Sequence, residues 1–301
     1  MKYGVLTFSY NNVTSFRDAL EKRGYYSVNL GDYMQTLAAR NLYRALGIAE
    51  HDIIEIDRDS ISSYNGDKVA LLMNGAFFRW SFPIPQDIVP VFVGFRTDGP
   101  VVSNHLDFFR RHQPVGCRDV ETTDLFRAYG VEAFTSGCLT MTFQDRERQP
   151  TKRTVFVIFG SGAGAFPAEA LTYMPEELAR DTEFVFQRKV VHNHPLTALD
   201  MRDAEKYAKR LLEDYRERAS LVVTPLHHAA TPCLSSGIPV ILCRKRDHGR
   251  FSYLRELMPV YTSPSFSQVD WFAGPIRVDT IRAELVKTAR LALEEAARRS
   301  S

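Results

Sequence analysis

A chain of 301 residues with 45% hydrophobic and 25% charged side chains carries enough apolar matter for two cores of ordinary size, which excludes an extended disordered protein. A formal net charge of +2, with basic residues scattered among nearly as many acids, offers no cationic face for nucleic acid. No apolar run approaches the ~18 residues that span a bilayer, and Met1-Lys2-Tyr3-Gly4-Val5-Leu6 reads as a first strand, so a cytoplasmic protein is expected.

Short β-branched and aromatic runs alternate with amphipathic stretches, the pattern of parallel sheets covered by helices. Residues 5–8 are the first expected strand. Residues 32–46 place Met34, Leu37, Ala38, Leu42 and Leu46 on one helical stripe ending at Gly47, with Asp32 as a candidate N-cap. Strands follow at 53–56, 70–73, 89–95 and 115–117, then helices at 104–111 and 121–129, and a short apolar segment at 131–134. The polar run 145–153 reads as a linker, which divides the chain into residues 1–150 and 151–301. The second half opens with a strand at 154–159 and continues with strands at 183–191, 221–223 and 240–243. A charged helix spans 201–218, and an amphipathic helix spans 279–299 with Ile281, Leu285, Ala289, Leu293 and Ala296 on one side.

In open α/β sheets, ligands bind beyond the carboxyl ends of the strands. Four loops fit that position: Asn29-Leu30-Gly31-Asp32, Gly116-Cys117-Arg118-Asp119, Ser136-Gly137-Cys138-Leu139-Thr140, and Thr224-Pro225-Leu226-His227-His228. The last delivers two imidazoles from a strand end to a helix start, where they either move protons near neutral pH or cap and fill. Gly160-Ser161-Gly162-Ala163-Gly164 is either a phosphate-approaching loop or a tight turn, and it lacks the full dinucleotide spacing. Arg118 is either an anion ligand or a salt-bridge partner of Asp119 or Glu121. His192 and His194 share a strand face without further ligands nearby, and Cys117, Cys138, Cys233 and Cys243 lack paired spacing, so no metal site is expected.

Taken together, these motifs resemble a known family. In the second half they are His192 or His194, Arg202, Ala204, Leu211-Leu212, Tyr215, Ala219, Leu221-Val222-Val223-Thr224, Leu226-His227 and Gly237-Ile238-Pro239-Val240-Ile241. In the first half they are Asn29 to Gln35, Gly116 to Asp119 with Thr122, Leu125 and Gly130, and Ser136 to Thr140. The pattern is similar to that of polysaccharide pyruvyl transferases. The resemblance implies two Rossmann-like domains facing a cleft in the GT-B manner, the first on the acceptor side and the second on the donor side. It implies pyruvyl transfer from phosphoenolpyruvate to a sugar of a surface glycan or its lipid-linked precursor, with no cofactor. It also allows a homo-oligomer, and a place at the inner face of the membrane. His227 matches the histidine of the family's Arg-Leu-His motif and would be the general acid, with Arg118 an anion clamp. Asp32, Gly31, Gly137, Cys138, Thr140, Gly160, Gly162, His192, His194, Thr224, His228 and Arg244 are the expected substrate-binding residues.

One departure stands out: Pro225 occupies the place of that motif's arginine, which removes a bidentate anion contact. His228 or the run Arg244-Lys245-Arg246 is a candidate replacement. The same departure keeps two alternatives open, a nucleotide-sugar glycosyltransferase on the same scaffold and a catalytically silent binding homologue.

Overall fold

The computed structural model describes residues 1–299. Its strands, in chain order, are β1 (Lys2–Thr7), β2 (Tyr26–Asn29), β3 (Ile53–Asp57), β4 (Val69–Leu72), β5 (Gly75–Ala76), β6 (Ile88–Val91), β7 (Phe95–Arg96), β8 (Val115–Cys117), β9 (Ala133–Thr135), β10 (Val155–Phe159), β11 (Thr182–Phe186), β12 (Arg188–Val191), β13 (Leu221–Thr224), β14 (Val240–Cys243) and β15 (Val260–Tyr261). The fold is mixed α/β with three parallel sheets, ordered β3-β1-β4-β6, β5-β7-β8-β9 and β11-β10-β13-β14-β15. Strands β4, β13 and β14 are buried along their whole length, which is why they read as continuous apolar runs without alternation.

Two expected strands divide. The run 89–95 becomes β6 and β7, which belong to different sheets. Gly94 adopts a left-handed φ of +76° between them, and its N–H donates to Ser136 Oγ at 2.9 Å. The run 183–191 becomes β11 and β12, hinged at buried Gln187, whose side chain donates to the His228 carbonyl and accepts from the Tyr215 hydroxyl. β12 then pairs antiparallel with β2, so a strand of the second half is hydrogen-bonded to one of the first.

The helices show comparable shifts. The expected helix at 104–111 is two short ones, Gly99–Asn104 and Leu106–Arg111, meeting at His105, whose backbone is not helical. The helix expected to start at Asp32 begins at Leu30, and its N-cap is Asn29, whose side chain accepts from the Gly31 N–H. A helix at Thr14–Arg23 and strand β2 went unread; the helix fully buries none of its residues, and its apolar stripe is only Phe16, Ala19 and Leu20, half-buried against the core.

The last helix, Asp279–Arg298, buries Leu285, Ala289, Leu293 and Ala296. It packs on β4, β6 and the turn Leu139–Thr142, all from the first half of the chain. The halves also meet where the Thr140 and Thr231 hydroxyls lie 2.6 Å apart, and where the Ser235 hydroxyl donates to the Thr140 carbonyl.

Candidate active site

Strand ends assemble the site. β7 and β8 are neighbours in register at Phe95 and Cys117, so Arg96 and Arg118 emerge side by side from their carboxyl ends. In the other large sheet β13 and β14 are neighbours, and past their carboxyl ends come Pro225, Leu226 and His227 on one side and Arg244 on the other. Both sheets thus send cations and imidazoles from the end where open α/β sheets bind ligands.

His227 starts the helix His227–Ser235 and is 2% exposed; His228 follows at a break in the helical backbone. Neither ring nitrogen of His227 has a hydrogen-bond partner, and the same is true of Nε2 of His228. Buried polar atoms in folded proteins are nearly always paired with protein, water or ligand, so three imidazole nitrogens without a protein partner mark a place that can receive one. Burial first, then the neighbouring cations, holds both imidazoles well below the usual histidine range. For His227 the contributors are His228, Arg118, Arg250 and Arg244.

Arg118 is buried, and its Nε is unpaired apart from a long 3.8 Å approach to Asp119. Asp119 is shared with Arg96 at 3.4 Å and also caps the helix Val120–Ala128 by accepting from Thr122. Arg244 hydrogen-bonds the Pro225 carbonyl and stacks over Phe251 at 3.8 Å, with its pKa lowered by desolvation to about 10. Arg250 lies over the same ring at 5.1 Å; burial and the charges of Arg118, Arg244 and Arg96 bring it, too, down to about 10. Nearby, Arg58 and Asp59 form a buried pair at 2.9 Å and offset each other. Asp32 accepts from Tyr10, Asn29 and Gln35, and its carboxyl is raised by burial, against the pull of Arg58 and Arg118.

Several expected residues are committed to structure. The Thr224 hydroxyl donates to Ile158 and accepts from Leu226, which shapes the turn before His227. Thr140 bonds Thr231 and Cys138. Gly31 leaves room for His228, since a Cβ there would lie 2.8 Å from the ring; Gly137, at φ +83°, likewise admits Tyr253 at 2.9 Å. Gly160 and Gly162 belong to a tight turn closed by the Gly160 N–H on the Gly164 carbonyl, packed beneath Leu226. His192 and His194 bond the carbonyls of Gly24 and Tyr10, so their rings tie the end of β12 to the first half. Arg96 and Arg250 were absent from the sequence expectations. Arg96 directly follows an expected strand and was legible by that rule; Arg250 is brought in by a loop with no local signal.

Cys138, His227 and His228 place Sγ and ring nitrogens within 4.8 Å of one another, close enough to consider a metal ion. Arg118, Arg244 and Arg250 face the same imidazoles, so a divalent cation would meet like charge where an anion would meet attraction. All four thiols are free and buried, and burial raises each above the ordinary range, Cys117 and Cys243 to about 12.

Fold and site thus define an α/β protein with a buried, cation-rich imidazole site built from strand ends of both halves. The chain belongs to the polysaccharide pyruvyl transferase family, whose profile matches residues 29–244. A search of curated proteins gives no match. Among solved structures, a functionally uncharacterized protein from Klebsiella pneumoniae subsp. pneumoniae NTUH-K2044 aligns at 12% identity and a TM-score of 0.45, over 84% of this chain and 88% of that one. No helix among the described residues is long and apolar enough to cross a membrane.

Proposed function

We propose that the chain moves a pyruvyl group from phosphoenolpyruvate onto two hydroxyls of one sugar, in a surface glycan or its lipid-linked precursor. On this reading the scaffold is GT-B-like, with residues 1–150 on the acceptor side and 151–301 on the donor side. The reaction takes place in the cytoplasm, at the inner face of the membrane where the acceptor is lipid-linked. It needs no metal or cofactor.

The chemistry follows from the groups at hand. His227 gives a proton to the methylene carbon of the enol, and the adjacent carbon becomes electrophilic. One sugar hydroxyl adds there, phosphate leaves, and a second hydroxyl closes the ketal. Of the two hydroxyl protons lost, one balances the new methyl group and the other the released phosphate. Arg118 stabilises the anionic donor and the departing phosphate. A neutral buried imidazole is a poor acid, but an anion beside it favours the imidazolium, so donor binding itself arms His227.

The observation that carries this reading is His227, buried with both ring nitrogens unpaired, beside Arg244 and Arg250, which have no ion-paired carboxylate among the described residues. The test is incubation with phosphoenolpyruvate and diol-bearing glycans, following phosphate release and the ketal methyl signal by NMR. We expect turnover by the native protein and a loss of at least about a hundredfold in His227→Gln and Arg118→Gln, the usual scale for an acid or an oxyanion donor. Thermal stabilisation by nucleotide diphosphates and not by phosphoenolpyruvate would instead favour nucleotide-sugar transfer, the alternative that Pro225 raises.

A further inference from the structure

Charge around His227 does not balance. Arg96 is matched by Glu121 at 3.7 Å and shares Asp119. Arg118, Arg244 and Arg250 are close enough to depress one another or the imidazoles, while Asp119 and Asp32 are the buried carboxylates that face them, and Asp247, which acts on Arg244, is taken up by Arg255. Arg58 adds nothing to the excess, being matched by Asp59. Arg244 makes hydrogen bonds only to carbonyls, those of Pro225 and Arg246. Among the described residues the Arg250 guanidinium has neither a hydrogen bond nor an ion pair, although it is largely withdrawn from solvent. A guanidinium carries five donors, so most of those on Arg244 and Arg250 are unspent.

The loop bearing these two arginines is also built to stay in place. Phe251 is fully buried, lies under both guanidiniums, and stands edge-on to the His227 ring with centroids 5.7 Å apart. The Arg250 N–H is held by His248, and Arg255 pairs with Asp247. Across the halves, the Ser252 hydroxyl accepts from the Val120 N–H at 3.0 Å, and Gly249 packs so closely on Glu121 that a Cβ would lie 2.5 Å from its carboxylate. Pro225 therefore sits beside a guanidinium although it does not supply one.

We propose that Arg250 and Arg244 join Arg118 in a three-guanidinium clamp for a phosphate or carboxylate group beside His227, doing from the loop after β14 what Pro225 cannot do. For the donor this rests on the pyruvyl-transfer reading; for the anion it rests on the charge imbalance alone. Two of the three cations come from the second half and one from the first, so a bound anion ties the halves together.

The experiment is calorimetric titration of the full chain with inorganic phosphate and with phosphoenolpyruvate. The native protein binds both. Arg250→Gln and Arg244→Gln each weaken both ligands by about tenfold to a hundredfold, the scale for a lost charge-assisted contact. Arg250→Lys weakens them by less, since it keeps the charge and loses the fork, and it serves as the readout if the glutamine variant does not fold. Lys206→Gln, exposed on the helix Ala198–Arg218, leaves both affinities unchanged. Native affinity in both Arg250→Gln and Arg250→Lys would overturn the clamp, and so would a native protein that binds neither anion. Phosphate binding that depends on Arg250, with no ketal formed from phosphoenolpyruvate, would leave the clamp standing and sink pyruvyl transfer. Ketal formation with Arg250-independent binding would do the reverse.

Discussion

An imidazole buried against guanidiniums is kept neutral, and that neutrality is linked to stability. His227 is faced by His228, Arg118, Arg250 and Arg244, and His228 by Arg118 and Arg250; every one of these opposes a proton, as does burial. The unfolded chain takes up these protons near the ordinary value of 6.5, and the folded chain does so only at much lower pH. Stability is therefore fully present above 6.5 and falls as the pH drops below it. Asp32, raised by burial, works in the opposite sense once its own range is reached, so the decline eases there. Thermal unfolding followed from neutral pH downward should show this fall in the free protein. Saturating phosphate, by favouring the imidazolium, should shrink the fall, and His227→Gln should flatten it. A slope indifferent to His227→Gln would mean that the imidazole is not the group held neutral.

At the scale of elements, a local capping signal was present in the sequence and went unread. Thr197 accepts from the Asp200 N–H, and Asp200 accepts in return from the Thr197 N–H and hydroxyl, a capping box that starts the helix Ala198–Arg218 three residues before its first expected position. Thr197→Ala should cost about 1 kcal/mol in chemical unfolding without altering catalysis. Divided strands were less legible. Run 89–95 has no polar side chain, and run 183–191 carries Gln187-Arg188-Lys189 at its centre, a polar break that marks a division; in neither does period-2 patterning show that the second piece joins another sheet. The hydrogen bond from Gly94 to Ser136, and those of Gln187 to His228 and Tyr215, reveal the turns. The helix at Thr14–Arg23 stayed hidden because its apolar stripe, Phe16, Ala19 and Leu20, is short and only half-buried against the core.

For the whole molecule, the helix Asp279–Arg298 shows how chain order and packing differ. It follows the second half in sequence and covers β4 and β6 of the first. Each buried leucine contributes roughly 2 kcal/mol, so losing Leu285 and Leu293 with their alanine neighbours removes a sizeable share of the ~5–15 kcal/mol net stability of a typical domain. Ending the chain at Val278 should therefore abolish cooperative unfolding of the first half, with amide exchange in β4 and β6 rising to that of an open sheet. Unchanged protection in those strands would show that the helix is dispensable.

The sequence by itself determined the parallel α/β pattern, the loops at strand ends that carry Arg118 and His227, and the family motifs, because strand periodicity, turn residues and motif spacing are local properties. Tertiary structure decided which strands share a sheet, that the last helix returns to the first half, and that Arg118, Arg244 and Arg250 converge on one imidazole. Those outcomes depend on contacts between residues far apart in the chain, where burial and Coulomb repulsion act through space and leave no periodic trace along it.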